Sequence, residues 1–163
     1  CGTGLCGPLV APYARRLVGV DLSEGMLKHA REKKIYSELV RSELTAYLLD
    51  HHNAFDVIVT ADTLVYFGAL TDVAVAAVGA LRSGGRFIFT VEEATEDNAP
   101  STYCIKPHGR FNHRAQYVER VLVDAGLKAD IARAELRVES GLPVAGLVVT
   151  ATKPATPIGA TQV

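Results

Sequence analysis

The chain has no surplus of either charge, no long apolar run, and too few cysteines to build a disulfide framework. Its 17 Lys and Arg nearly cancel its 18 Asp and Glu over 163 residues, a formal net charge of −1. No global basic field is therefore available to recruit nucleic acid. No apolar stretch approaches the roughly 20 residues that a bilayer-spanning helix needs, and no charged-then-apolar leader is visible, so no membrane partner is expected. The three cysteines, Cys1, Cys6 and Cys104, form no C-x-x-C. Reduced thiols in a cytoplasm are the plain reading, and none has a sequence partner that would make it a nucleophile. His51-His52 completes no metal-ligand spacing, because adjacent side chains point apart, and no metal is expected. Internal repeats are also absent.

What is present is an ordinary soluble-domain composition, 48% hydrophobic and 21% charged, long enough for one continuous core. We read residues 1–153 as one domain and 154–163 as a flexible tail. Short apolar runs alternate with helical stretches, the pattern of a mostly parallel α/β sheet covered on both faces. A helix is expected from Leu5 to Ala11, ended by Pro12, then a strand over Leu17–Val20 and a helix capped by Ser23 and running to Lys34. Glu38–Ser42 reads as a short strand, followed by a helical turn or two over Thr45–Leu49. The β-branched run Phe55–Ala61 reads as a buried strand. A helix capped by Thr71 follows, then a turn at Ser83-Gly84-Gly85 into a strand over Arg86–Val91. Residues 92–111 show no periodicity and read as one long irregular segment. Asn112 or His113 would cap the next helix, whose apolar face carries Tyr117, Val118, Val121, Leu122 and Ala125. Ala129–Val138 and Val144–Thr152 are two strands joined by a link too short for a crossover helix, so they must be antiparallel neighbours.

Gly2-Thr3-Gly4-Leu5-Cys6-Gly7 satisfies G-x-G-x-x-G, and Asp21 ends the next strand. A glycine-rich turn opening a helix, then a carboxylate at a strand tip, is how open α/β sheets hold an adenosine-containing cofactor. The spacing alone also fits a nicotinamide or flavin protein, or a plain glycine turn with Asp21 capping the following helix. No strand precedes Cys1.

Together with Gly19-Val20-Asp21-Leu22-Ser23-x-x-Met26-Leu27, Phe55-Asp56-Val57-Ile58-Val59, the Gly84-Gly85 turn and the terminal hairpin, this order resembles the class I S-adenosylmethionine-dependent methyltransferases. Ala61-Asp62-Thr63-Leu64-Val65-Tyr66-Phe67-Gly68 and Gly141-Leu142-Pro143-Val144-x-Gly146-Leu147 more narrowly resemble bacterial methyltransferases often joined to tetratricopeptide repeats. The resemblance implies a Rossmann-like sheet of order 3-2-1-4-5-7-6, mostly parallel with an antiparallel C-terminal hairpin. Its first strand is missing here, which leads us to expect a natural N-terminal extension, an upstream repeat domain among the candidates, and low stability of the isolated chain.

It implies S-adenosylmethionine as cofactor. Gly2, Thr3 and Gly4 would form the loop against its methionine part, and Asp21 would accept from both ribose hydroxyls. Leu22 and Met26 would pack near the adenine, Glu43 and Leu44 would meet the adenine edge, and the backbone at Ala61 and Asp62 would face the amino group. A small-molecule acceptor would be lined by Tyr66, Tyr103, Arg110 and Phe111, with Tyr117 either there or in the core. Arg110 could hold an acceptor carboxylate. His108 and His113 are candidate general bases, although methyl transfer from a sulfonium releases a neutral thioether and needs a base only when the acceptor must lose a proton. Two competing readings are an NAD(P)-dependent oxidoreductase fragment and a non-catalytic cofactor-binding or interaction module.

Overall fold

Val18–Asp21 forms strand β1 and Glu38–Arg41 forms β2, paired in parallel from Val18 opposite Glu38 to Asp21 opposite Arg41. They belong to the first of two compact units, Cys1–Asp50, the second being His51–Val163. The computed structural model describes residues 1–95 and 102–155, so the expected irregular structure at 96–101 and the tail beyond 155 lie outside the described residues.

In the first unit, the crossover between the parallel strands is helix α2, Glu24–Glu32, preceded near the N-terminus by the short helix α1, Gly7–Val10. Ser23 caps α2 as expected, its Oγ accepting from the Met26 N–H at 3.3 Å. The helix stops before Lys34, which turns the chain out at φ +54°. Leu27 and Ala30 of α2 are buried, as are Tyr47 and Leu48 of helix α3, Leu44–Leu49. Burying a side chain the size of Leu27 stabilises by about 1.5–3 kcal/mol. The first helix departs from expectation. It begins at Gly7 because Gly4, at φ +80°, keeps the preceding loop non-helical. Pro12 does not end it but sits in a 3₁₀ turn over Ala11–Tyr13, an early helical position where no N–H is required of it.

The second unit holds a six-stranded mixed sheet. Its strands are β3 (Phe55–Thr60), β4 (Leu81–Glu93), β5 (Tyr103–Ile105), β6 (Phe111–His113), β7 (Lys128–Glu139) and β8 (Leu142–Thr152). β3 pairs with β4 in parallel, β4 with β8 antiparallel, and β8 with β7 antiparallel. The two pairings, β1–β2 and β3–β4–β8–β7, reproduce the 2–3 and 4–5–7–6 runs of the expected order. Helix α4, Thr71–Ala80, and helix α5, Ala115–Asp124, accompany this sheet. Phe87, Phe89 and Val91 of β4 and Leu147, Val149 and Ala151 of β8 are buried at every second position, which is the period of a strand with one face on a core. Val73, Ala74 and Ala77 of α4 and Val118, Val121 and Leu122 of α5 are buried too. No helix among the described residues is long and apolar enough to cross a membrane.

Three expectations for this unit are corrected. Thr71 is the first residue of α4 and Leu70 occupies the cap. The Ser83-Gly84-Gly85 turn lies inside β4, as an irregularity between the Phe55–Leu81 and Val57–Arg86 pairs. The stretch 92–111 is not wholly irregular. β4 continues to Glu93, and β5 and β6 pair antiparallel, with β6 parallel to the end of β4 at Glu92–Asn112 and Glu93–His113. Three-residue strands carry too few positions to show an alternation. They exist because the protruding end of β4 pairs with β6, which in turn pairs with β5.

Candidate functional site

In the first unit, the glycine loop and the tip of β1 are tied together by one carboxylate. Asp21 Oδ2 accepts from the Gly2 N–H at 2.8 Å and from the Cys1 amino group at 3.3 Å, and Oδ1 accepts from the Ser23 N–H at 2.9 Å. Burial pushes the Asp21 carboxyl up, but the N–H groups of Ser23 and Gly2 and the Cys1 amino group outweigh it, and the group titrates below its ordinary value. Asp21 therefore stays ionised near neutrality, and Oδ1 keeps a lone pair for a further donor. Leu22 and Met26, just beyond it, are exposed apolar side chains.

The three loop glycines do different jobs. A Cβ at Gly4 would lie 3.1 Å from the Tyr36 ring and 3.2 Å from Ala30 Cα, and one at Gly7 would lie 2.5 Å from Ile35 Cδ1 and 2.7 Å from the Tyr36 hydroxyl. These two are glycine because the chain packs its own Tyr36 against them. Gly2, at φ +56°, has nothing within 4 Å of its Cβ position. It is the loop residue whose backbone a ligand can approach. Tyr36 itself escaped the sequence reading, since a lone tyrosine between a helix end and a strand carries no periodic signal.

Glu43 acts as the N-cap of α3, its two carboxylate oxygens accepting from the N–H groups of Thr45 at 2.9 Å and Ala46 at 2.8 Å. Burial raises its pKa, but the N–H groups of Thr45, Ala46 and Leu44 outweigh that and leave it below the usual carboxylate range. Leu44 is the first residue of that helix.

In the second unit, Ala61 and Asp62 follow the carboxyl end of β3. Asp62 sits at φ +54°, its N–H donating to Thr90 Oγ1 at 2.8 Å. Its Oδ1 accepts from Arg137 Nη1 at 2.9 Å. The other Arg137 nitrogen, Nη2, donates to Glu92 Oε1 and lies 3.4 Å from Glu139 Oε2. Arg110 pairs with Glu139 at 2.8 and 3.0 Å and approaches Glu92 at 3.7 Å. Contacts with Glu139 and then Tyr66 hold the Arg110 guanidinium well above its ordinary value. Arg110 thus meets the protein's own carboxylates. Neither Arg137, inside an expected strand, nor Glu92, at the start of the expected irregular segment, stood out in the sequence.

The structure brings Tyr103 and Phe111 together edge to face, ring centroids 5.8 Å apart, against Gly68. Tyr66 is exposed beside Arg110, and His108 is exposed in the β5–β6 turn. His113 requires a correction on both its expected roles. It is not the α5 cap, which is Arg114, and it is wholly buried in β6. Its Nε2 bonds to the Gly68 carbonyl at 2.9 Å and its ring stacks on Tyr117 at 6.2 Å. Burial lowers its pKa, against a smaller upward pull from the carbonyls of Gly68 and Phe67. A ring so enclosed is a core histidine with no route to an acceptor. Tyr117 is core as well, its hydroxyl accepting from the Leu70 N–H at 3.0 Å.

Residues 1–89 match the sequence profile of a family described as a methyltransferase domain. No curated protein gives a significant match. Among solved structures, the chain is similar in fold to a SAM-dependent methyltransferase of Methanosarcina mazei, with a TM-score of 0.75 and 14% identity over 96% of this chain and 90% of that one. It is similar to an S-adenosylmethionine-dependent methyltransferase of Mesorhizobium loti, with a TM-score of 0.71 and 20% identity over 93% and 87%. It is also similar to the [4+2]-cyclase SpnF, with a TM-score of 0.78 and 17% identity over 96% and 73%. At these identities the likeness concerns the fold, and function has to be argued from the site.

Proposed function

The chain belongs to the methyltransferase-domain family, and from that premise we propose that it transfers a methyl group from S-adenosylmethionine to a small-molecule acceptor. The observation that carries the proposal is the arrangement at the tip of β1. Asp21 is ionised, locked by backbone donors, and keeps an acceptor position on Oδ1 beside a Gly2 with open space above it.

The donor set fits an adenosylated amino acid. Asp21 Oδ1 accepts from a ribose hydroxyl, and Leu22 and Met26 offer apolar surface to a purine. The Gly2 backbone allows close approach of a chain carrying a carboxylate. When bound, the cofactor supplies an electrophilic methyl on a sulfonium. The residues of this chain bind and orient it, and alignment with desolvation accounts for much of the acceleration expected of such a site. No general base is assigned: His113 is enclosed, and His108 lies in an exposed turn. Tyr66, Tyr103 and Phe111 remain the acceptor-lining set. The near-neutral charge favours a small acceptor over a nucleic acid, and three free cysteines support a cytoplasmic setting.

Calorimetric titration with S-adenosylhomocysteine and, separately, NAD tests the reading. Saturable binding of the first without the second is expected, and binding of NAD alone refutes it. Because a [4+2]-cyclase shares the fold, a panel of small acceptors with labelled methyl donor forms the second arm. Binding without turnover on any of them would favour a non-methylating role.

A further inference from the structure

We propose that the tip of the β7–β8 hairpin is a strap across the carboxyl ends of β3 and β4, latched by Glu139 onto Arg110 and able to swing open. Every residue involved belongs to the second unit, and the inference holds whichever ligand the protein binds.

The register of the sheet shows that the hairpin has to curl to make this contact. β6, β4, β8 and β7 lie side by side, with Asn112, Glu92, Gly146 and Ala134 in one row. Glu139 stands four ladder steps beyond that row, and Arg110 stands two residues before it. A flat sheet would hold them roughly 20 Å apart along the strands and roughly 14 Å across them. Arg110 Nη1 nevertheless meets both Glu139 carboxylate oxygens, at 2.8 and 3.0 Å. The hairpin therefore bends over the end of β4 and comes down beside the β5–β6 turn. A β-bulge accounts for the bend. The β7–β8 register runs Ala134–Gly146 and Glu135–Ala145, then skips Leu136 to give Arg137–Val144. Such an extra residue bends its strand and increases the local twist. Leu136 Cδ1 fills the space that a Cβ at Gly146 would take.

Beyond the bulge the tip has no core of its own. Val138 to Pro143 are exposed at every position, with Val138 at 63% and Leu142 at 70%. Pro143 has no N–H to give the ladder. A segment without buried apolar contacts opens at the low end of local stability. Besides the ladder, the fastening seen among the described residues is Glu139, held by Arg110 and lying 3.4 Å from Arg137. The rest of the ion cluster does not need Glu139. The buried Glu92 has Arg137 in contact, and Arg137 also pairs with Asp62. Arg137 thus anchors the hairpin at the bulge, and Glu139 latches its far end. The latch carboxylate is 45% exposed, so salt screens it. Open α/β sheets admit ligands at the carboxyl ends of their parallel strands. β3 and β4 are such a pair, and the Arg137 anchor touches both ends through Asp62 and Glu92.

Spin labels read the motion directly. In a Cys1→Ser, Cys6→Ser, Cys104→Ser background, labels at His108→Cys in the β5–β6 turn and Leu142→Cys in the tip report the distance between the hairpins. One narrow distribution is expected at about 0.05 M salt. Glu139→Gln, or about 0.5 M salt, should add a longer component. The open-to-closed ratio should rise about fivefold, the upper range for a partly exposed pair. Arg110→Gln should open the strap equally, and the double variant no further. Hydrogen exchange on the chain with its native cysteines is the second measurement. Glu139→Gln should speed exchange of the Lys106 and Gly109 amides, which close the turn of the other hairpin, while Ile131 and Val149 at the hairpin base stay unchanged. A distribution that neither salt nor Glu139→Gln broadens, a wild type already open at low salt, or additive opening by the two Gln variants overturns the latch. Unchanged exchange at Lys106 and Gly109 overturns it as well.

Discussion

Asp21→Asn is the substitution that separates a cofactor carboxylate from a helix-capping one. An amide has one acceptor oxygen where the carboxylate has two. It can satisfy the Gly2 N–H, now 2.8 Å from Oδ2, or the Ser23 N–H, now 2.9 Å from Oδ1, but it turns an NH₂ towards the other. A hydrogen bond to a charged group contributes about 1.5–3 kcal/mol. The Asp21 side chain is 21% exposed, so water compensates in part and the lower end applies. A loss near 1.5 kcal/mol lowers the melting temperature by about 3–6 °C for a chain of this size.

The ligand-side loss should be larger relative to that fold-side loss. A ribose hydroxyl loses its charged acceptor, and S-adenosylhomocysteine affinity falls about 10–100-fold by the same arithmetic. Acid adds an independent check. Because the folded-state carboxyl titrates below its ordinary value of 3.8, its stabilisation is complete above that value and disappears as pH falls through the lowered one. The stability difference between the wild type and the Asn variant should thus shrink as pH falls below 3.8 and through the lowered value, because the Asn protein has no such term. Calorimetric titration and pH-dependent melting read both effects. A variant that binds S-adenosylhomocysteine within about twofold of wild type would refute the assignment and leave Asp21 as a cap.

Three further outcomes follow from the packing. Gly2→Ala should cost about 1 kcal/mol for its left-handed backbone and weaken ligand binding out of proportion to its melting shift. Gly4→Ala adds contact with the Tyr36 ring and should melt lower than Gly2→Ala, so equal melting of the two would contradict the division of labour in the loop. His113→Ala should destabilise by about 2–4 kcal/mol from the cavity and the lost bond to Gly68. Since burial lowers the His113 pKa below 6.5, the wild type weakens as pH falls from that value through the lowered one. Denaturation curves at pH 7.5 and 5.5 should show the variant lacking that share of the acid dependence. Gly146→Ala should cost about 1–3 kcal/mol by overpacking, with partial recovery in Gly146→Ala/Leu136→Ala because the Val91 carbonyl, 2.7 Å from the new Cβ, stays in the way. Full recovery in that double variant would show that Leu136 alone fills the space.

Much of the architecture was legible because its signals are local. The β-branched run at Phe55–Thr60 and the Ser23 cap are read from neighbouring residues, and the structure keeps the cap and the strand but not its expected burial, since Val57 and Val59 are exposed and only Ile58 and Thr60 are buried. The terminal hairpin followed from the brevity of its link. The strands grow into that link until Ser140 and Gly141, at φ +52° and +80°, form the turn, because paired backbone extends wherever a two-residue turn can close it. β5 and β6 were not legible, since what creates them is the overhanging end of β4. His113 was misjudged for a related reason. A histidine beside Arg110 and Arg114 looks like a surface residue, and only the packing of Gly68, Tyr103 and Tyr117 around it makes it core.

By itself the sequence determined the order of the elements, the glycine loop and the carboxylate at the tip of β1. Each of these depends on residues close along the chain, or on a spacing that one strand and one turn impose. Tertiary structure decided which loop glycine is left open, because Tyr36 has to fold back to occupy the space beside Gly4 and Gly7. It also decided that Arg137 meets Asp62 and Glu92. That meeting depends on a one-residue bulge between β7 and β8, where the register skips Leu136 and Arg137 pairs with Val144, and a bulge is a property of two strands in register, invisible in either alone.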